Sequence, residues 1–160
     1  MSEKLDMTGA SGALRRALPF FVAASVYVIA GGILAAATAY VTTQKTTWAT
    51  AYIVLVGGVA QAVLGAALGW LAQRARMPLV WAAFALFNLG NIGVLAGQLT
   101  GLLALTFTGG ALLVVALVLV IAATRRGAPA HPVVLWAFRI VVVVLVVSIP
   151  TGLVLAAIGA

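Results

Sequence analysis

Five stretches of this chain run for about twenty residues or more, and the first four carry no charge away from their ends. They are roughly residues 17–41, 48–72, 78–98, 102–124 and 133–159. At a rise of about 1.5 Å per residue, an apolar helix of that length crosses the hydrocarbon of a bilayer. Of the 160 residues, 65% are hydrophobic and 7% are charged, too little polar surface to cover a water-soluble domain of this size. The expected fold class is an all-α integral membrane protein, a five-transmembrane-helix bundle. Residues 1–14, which hold both acids, Glu3 and Asp6, are expected to form a mobile cytoplasmic tail. Residues 15–160 form a single transmembrane helical domain.

The cations set the orientation. Lys4, Arg15, Arg16, Arg74, Arg76, Arg125, Arg126 and Arg139 fall on one side of the spans, and Lys45 alone on the other. The positive-inside rule puts the N-terminus in the cytoplasm and the C-terminus outside. Trp70, Trp81 and Trp136 then mark the inner interface, with Trp48 and Tyr52 at the outer one. The same rule accounts for the net charge of +7, so no nucleic-acid partner is expected. Arg15 and Arg16 precede an apolar run that ends in Ala37-Thr38-Ala39. That run is too long for a signal-peptide core of roughly 7–15 residues, so it is expected to be retained as the first span. The preference for Arg over Lys among many Ala, Val and Gly points to a bacterial plasma membrane. The chain has no Cys, which excludes disulfides and thiolate chemistry.

One span is unlike the others. Trp81 to Gly101 reads WAAFALFNLGNIGVLAGQLTG. On a helix, Asn88, Asn91, Leu95 and Gln98 share a face. Gly90, Gly93, Gly97 and Gly101 form a second row, about 200° away at 100° per residue. One face offers hydrogen bonds, and the other lets a neighbouring backbone come close. A lipid-facing helix needs neither, so this span is expected at the centre, surrounded by protein. In the second span Gly58, Gln61, Gly65 and Gly69 fall on one face, and Gly65 with Gly69 makes a G-x-x-x-G motif that permits close helix approach. Gln61 and Asn88 both lie about ten residues from the Gln73–Pro78 turn, or roughly 15 Å deep. They are expected to hydrogen-bond to each other, contributing about 0.6–2 kcal/mol. Gln61, Asn88, Asn91 and Gln98 thus form either an intramembrane polar site for a quinone, lipid or small solute, or glue between helices.

Small residues mark two further packing faces: Ser25, Gly32 and Ala36 in the first span, and Ser148, Gly152, Ala156 and Gly159 in the last. Pro150 should bend the last helix. The interior of the fourth span, Ala111 to Ala122, is aliphatic all round and is expected to be the most lipid-exposed. Thr106, Thr108, Ser148 and Thr151 are expected to bond back to their own helices.

No catalytic set is apparent. Pumps, carriers and membrane enzymes place ionisable groups at depth, and spans one to four hold none away from their ends. His131 lies in a loop beside Pro132, and the methionines lie in the tail or at an interface. No cofactor and no metal are expected, and the chain is expected not to be an enzyme by itself.

The segment Trp48–Gly101 resembles the nitric-oxide-reductase-like branch of the haem–copper oxidase catalytic subunits. The resemblance rests on Thr50-Ala51-Tyr52, the apolar run Ile53 to Gly57, Gly65, the turn Arg74-Ala75-Arg76-Met77-Pro78, Trp81 and Asn88-Leu89-Gly90. Thr50 and Tyr52 stand where that family has its His-x-His. Later copper-binding histidines have no counterpart in the five spans. The resemblance therefore implies a ligand-free relative without haem, metal or redox activity.

Three functions remain. The first is a non-catalytic membrane protein acting by helix–helix association, as a homo-oligomer or as an accessory or assembly subunit of a larger membrane complex. The second is a small transporter or pore lined by the amides. The third is a quinone- or lipid-binding membrane protein. The expected partners are membrane lipids and other membrane subunits.

Overall fold

The computed structural model of the chain describes residues 2–125 and 132–158, with side chains described for 11–125, 132–133 and 135–148. Among these residues the chain is entirely helical. The elements are α1 (Ser2–Ala37), α2 (Gln44–Tyr52), a π-helical segment (Ile53–Ala60), α3 (Gln61–Leu71), α4 (Met77–Thr100), α5 (Leu103–Thr124) and α6 (Pro132–Ile158). Helix α2, the π segment and α3 follow one another without a break. Four stretches are long and apolar enough to cross a membrane: Ser11–Ala37, Gln44–Leu71, Met77–Thr100 and Leu103–Thr124. In α6 the described apolar stretch is Leu135–Ser148.

The helix boundaries have local causes. Thr38 donates its hydroxyl to Leu34 O at 2.8 Å, and α1 stops there. The expected loop Thr42–Thr47 is shorter than its polarity suggests, because Thr43 and Thr46 form a capping box that starts α2 at Gln44. Pro78 lies in the first turn of α4, where its missing N–H costs little. Gly101 ends α4 in the left-handed region at φ 75°, a conformation that glycine adopts without a Cβ penalty. The chain reverses there directly into α5.

Residues 2–14, expected as a mobile tail, continue α1 as helix. Packing explains the part of this extension nearest the span. A Cβ at Gly69 would lie 3.2 Å from Ala13 O and 3.2 Å from the Ala17 side chain, so α3 supports α1 past the apolar run. The extension also leaves Pro19 inside α1 rather than in its first turn.

Contacts at glycines fix the antiparallel order. Gly69, Gly65 and Gly58 meet Ala13/Ala17, Phe20 and Val28 of α1 in turn. Gly97, Gly93 and Gly90 meet Thr106, Gly109 and Leu113 of α5. Arg15, Arg16, Arg74, Arg76 and Arg125 therefore gather at one end of the bundle, and Lys45 lies at the other. The core fills the space between α3, α4 and α5 with Leu64, Leu68, Val80, Phe87, Leu117 and Val120, all buried. Phe84 links it to α1 and to the basic end through edge-on contacts with Phe20 at 5.4 Å and Trp81 at 5.6 Å. Helix α6 packs on α5 and α3, with Phe138 and Leu145 buried.

Among the four long spans the most exposed is α1, not α5. In their most apolar stretches 17% of α1 is buried against 39% of α5. Residues Leu113, Ala116, Leu117 and Val120 of α5 are all buried. An aliphatic surface suits lipid and a protein core equally well, so composition does not separate the two. Pro150 and Gly152, with the rest of the small-residue face beyond Ser148, lie outside the described side chains. Arg126 and His131 lie outside the described residues.

Candidate functional site

Glycines occupy one face of α4 and amides the other, but α4 is not the central helix expected: 33% of its most apolar stretch is buried, against 44% for Gln44–Leu71 and 39% for Leu103–Thr124, because Leu89 and Ile92 remain exposed. On the glycine face, α5 comes close enough for backbones to touch. A Cβ at Gly93 would lie 3.0 Å from Gly109 Cα, one at Gly90 would lie 2.9 Å from Gly109 O, and one at Gly97 would collide with Thr106. The reciprocal approach is as tight, since a Cβ at Gly109 would lie 2.5 Å from Val94 N. Such approach permits dense van der Waals contact between helices, the main attraction available where the solvent is itself apolar.

The amide face meets the α2–π–α3 rod. Gln61 Nε2 donates to Asn88 Oδ1 at 3.3 Å. Asn88 donates its own Nδ2 back to Phe84 O at 2.8 Å. Tyr52 Oη donates to Asn91 Oδ1 at 2.9 Å. Gln61 is 0% and Asn91 1% exposed. Two amide atoms in this group, Gln61 Oε1 and Asn91 Nδ2, are buried without a hydrogen-bond partner among the described residues. Each such atom costs about 1–3 kcal/mol when left unpaired. Together they present one acceptor and one donor.

The π segment makes this arrangement possible. Tyr52 immediately precedes it and Gln61 immediately follows it. On an α-helix, nine positions turn by about 900° at 100° per residue, which places the two side chains on opposite faces. Bonding from i to i+5 winds the chain more slowly. Both side chains then reach α4, at Asn91 and Asn88, which are three residues apart on one face. Gly57 and Gly58 lie inside the π segment against Tyr27 and Val28 of α1. A Cβ at Gly57 would lie 2.5 Å from Tyr27 Cδ1, so the widened turn is pressed closely onto α1.

Tyr52 was expected in an interfacial belt. It stacks on Trp48 at 5.1 Å as a belt residue would, but its hydroxyl is turned inward to Asn91. The pairing of Gln61 with Asn88 follows from depth alone. The role of Tyr52 does not, because α-helical periodicity sets it on the wrong face, and only the Gly57-Gly58 pair hints at an irregular turn. Gln98 lies about two turns beyond Asn91 and makes no side-chain hydrogen bond among the described residues. Gly58, Gly65 and Gly69 face α1, whereas Gln61 reaches α4, so the four residues do not serve one neighbour. Thr106 and Thr108 bond back to Leu102 O at 3.4 Å and Ala104 O at 2.7 Å.

Chemically, this centre can exchange hydrogen bonds. Its groups are amides and a phenol, with no carboxylate, imidazole or amine beside them. Among the described residues there is no group of three or more His, Cys, Asp or Glu that could hold a metal ion. Comparison with family models, curated proteins and solved structures finds no match to this chain.

Proposed function

We propose that this chain is a multi-pass protein of a bacterial plasma membrane that acts without catalysis, by helix–helix association. It spans the membrane five times, with its N-terminus in the cytoplasm and its C-terminus outside. The functional unit is a homo-oligomer or a larger complex in which the chain is an accessory or assembly subunit. The outer face of α1 carries this reading. The glycine faces of α3 and α4 are already filled within the chain, whereas Gly32 has no atom within 4 Å of where its Cβ would lie. Ser25 and Ala36 are exposed on the same side. A small-residue stripe on the least buried of the four long spans is suited to receiving a helix from another subunit. The test is the mass of the protein released in mild detergent. An oligomer or a defined complex is expected, and Gly32→Leu should dissociate it without lowering the stability of the bundle. A monomeric wild type with no co-purifying subunit overturns the reading.

The two unpaired amide atoms favour a second reading, a site for a quinone or another hydrophobic molecule bearing a donor and an acceptor. Stoichiometric co-purification of such a molecule, lost in Gln61→Leu, would support it over the first. A ligand-free kinship to the haem–copper oxidase family is compatible with either reading, with Thr50 and Tyr52 in place of histidines. An absorbance spectrum of protein from its native membrane tests it, since a stoichiometric Soret band would overturn the absence of haem.

A further inference from the structure

The basic end of the bundle holds a cleft of 610 Å³ between the α3–α4 turn and the end of α5. Arg74, Arg76 and Arg125 line it, with Leu79, Ala122 and Ala123 among the apolar residues. Its volume is in the range of small-molecule sites, about 300–1,000 Å³. We propose that this cleft binds the phosphate headgroup of one anionic phospholipid. The inference rests on the membrane reading above.

Two observations point to an anion. Arg74 and Arg76 of the α3–α4 turn and Arg125 at the end of α5 line one recess, and planar guanidinium matches phosphate oxygens in pairs. None of the three makes an ion pair among the described residues, and the whole sequence offers only Glu3 and Asp6 as acids against nine cations. The positive-inside rule explains why arginines lie at this end. It does not explain why three of them line one recess. Arg139, by contrast, lies outside the cleft, 5.9 Å over the Trp136 ring.

The apolar lining selects a lipid over free phosphate. Leu79, Ala122 and Ala123 belong to α4 and α5 just inside their basic ends. A phosphate held by the arginines has its glycerol and acyl chains directed along this aliphatic surface toward the hydrocarbon. Basic pockets between helices on the cytoplasmic side are suited to such headgroups, at about fivefold in affinity for each Arg.

The test is lipid titration of the delipidated full chain in mild detergent, read by native mass spectrometry. The probes are phosphatidylglycerol, phosphatidylcholine and inorganic phosphate. One phosphatidylglycerol should bind well ahead of phosphatidylcholine. The triple variant Arg74→Gln/Arg76→Gln/Arg125→Gln should bind it roughly 100-fold more weakly, and Arg139→Gln should bind as wild type. The single variants, each expected to lose about fivefold, carry the test if the triple variant loses its helical circular dichroism. Equal binding of the two lipids, or an unchanged triple variant, overturns the site. Inorganic phosphate that binds and displaces nothing but itself, with no lipid preference, overturns the lipid as its ligand. A chain that stays monodisperse in water without detergent overturns the membrane reading and this site with it. A chain that inserts but shows no preference overturns the site alone.

Discussion

Gln61 is the residue on which the α3–α4 contact turns. Its amide is fully buried and shares one hydrogen bond with Asn88, 27 positions away in the chain. A double-mutant cycle of Gln61→Leu and Asn88→Leu, followed by unfolding in micelles, should show coupling of about 0.5–2 kcal/mol. Strict additivity would place their partners elsewhere. Tyr52→Phe removes the only donor that Asn91 Oδ1 receives among the described residues. It should cost about 1–3 kcal/mol, because the buried acceptor is left unpaired while the ring and its stacking on Trp48 remain. A Tyr52→Phe variant as stable as the wild type would show that the hydroxyl contributes nothing to the bundle. Periodicity alone places Gln61 and Asn88 at the same depth. It cannot place Tyr52, whose orientation depends on a π turn eight residues long.

The α4–α5 hairpin is held by shape. Its two backbones meet at Gly90, Gly93, Gly97 and Gly109, and Gly101 makes the reversal. Gly93→Leu and Gly97→Leu should each destabilise the protein by about 3 kcal/mol or more, since a side chain there strikes backbone or Thr106 rather than a yielding side chain. Val118→Leu on the same hairpin should be tolerated, because Val118 is 57% exposed. Thermal unfolding in detergent checks both, and wild-type stability in both glycine variants would contradict the close contact. Leu113 is a different case from Val118 although both lie in the aliphatic run of α5. It is 2% exposed and packs against Gly90, so Leu113→Ile should cost about 1 kcal/mol through repacking.

Over the whole molecule, charge is polarised. Five arginines are gathered at one end of the bundle, and Lys45 marks the other. If the basic end faces the cytoplasm, as proposed, an impermeant thiol reagent applied to intact cells should label Lys45→Cys and leave Ser2→Cys and Gln73→Cys unmodified. Labelling of Gln73→Cys from outside would invert the topology. It would also move the arginine cleft to the opposite leaflet. The proposed association through α1 and the proposed lipid site at the cleft use separate surfaces of the bundle. Gly32→Leu should therefore leave phosphatidylglycerol binding unchanged, and the triple arginine variant should leave the oligomeric mass unchanged.

The all-helical class, the approximate limits of the four long apolar helices and the concentration of cations at alternate turns all follow from the sequence itself. These properties depend on composition over about twenty residues and on the local three-to-four-residue repeat. The two-sidedness of α4 is legible for the same reason, since glycines and amides mark opposite faces within one short segment. Tertiary structure alone decides which neighbour fills each face. In a chain that is apolar all round, hydropathy does not distinguish a core surface from an outer one. Helix α5 could thus be read as the exposed helix, although its contact with α4 is the closest in the bundle. What separates α1 from α5 is where glycines let backbones meet, a matter of shape between segments far apart in the chain. The inward turn of Tyr52 and the convergence of Arg74, Arg76 and Arg125 have the same origin. Each depends on how the segments pack, and no local pattern along the chain records it.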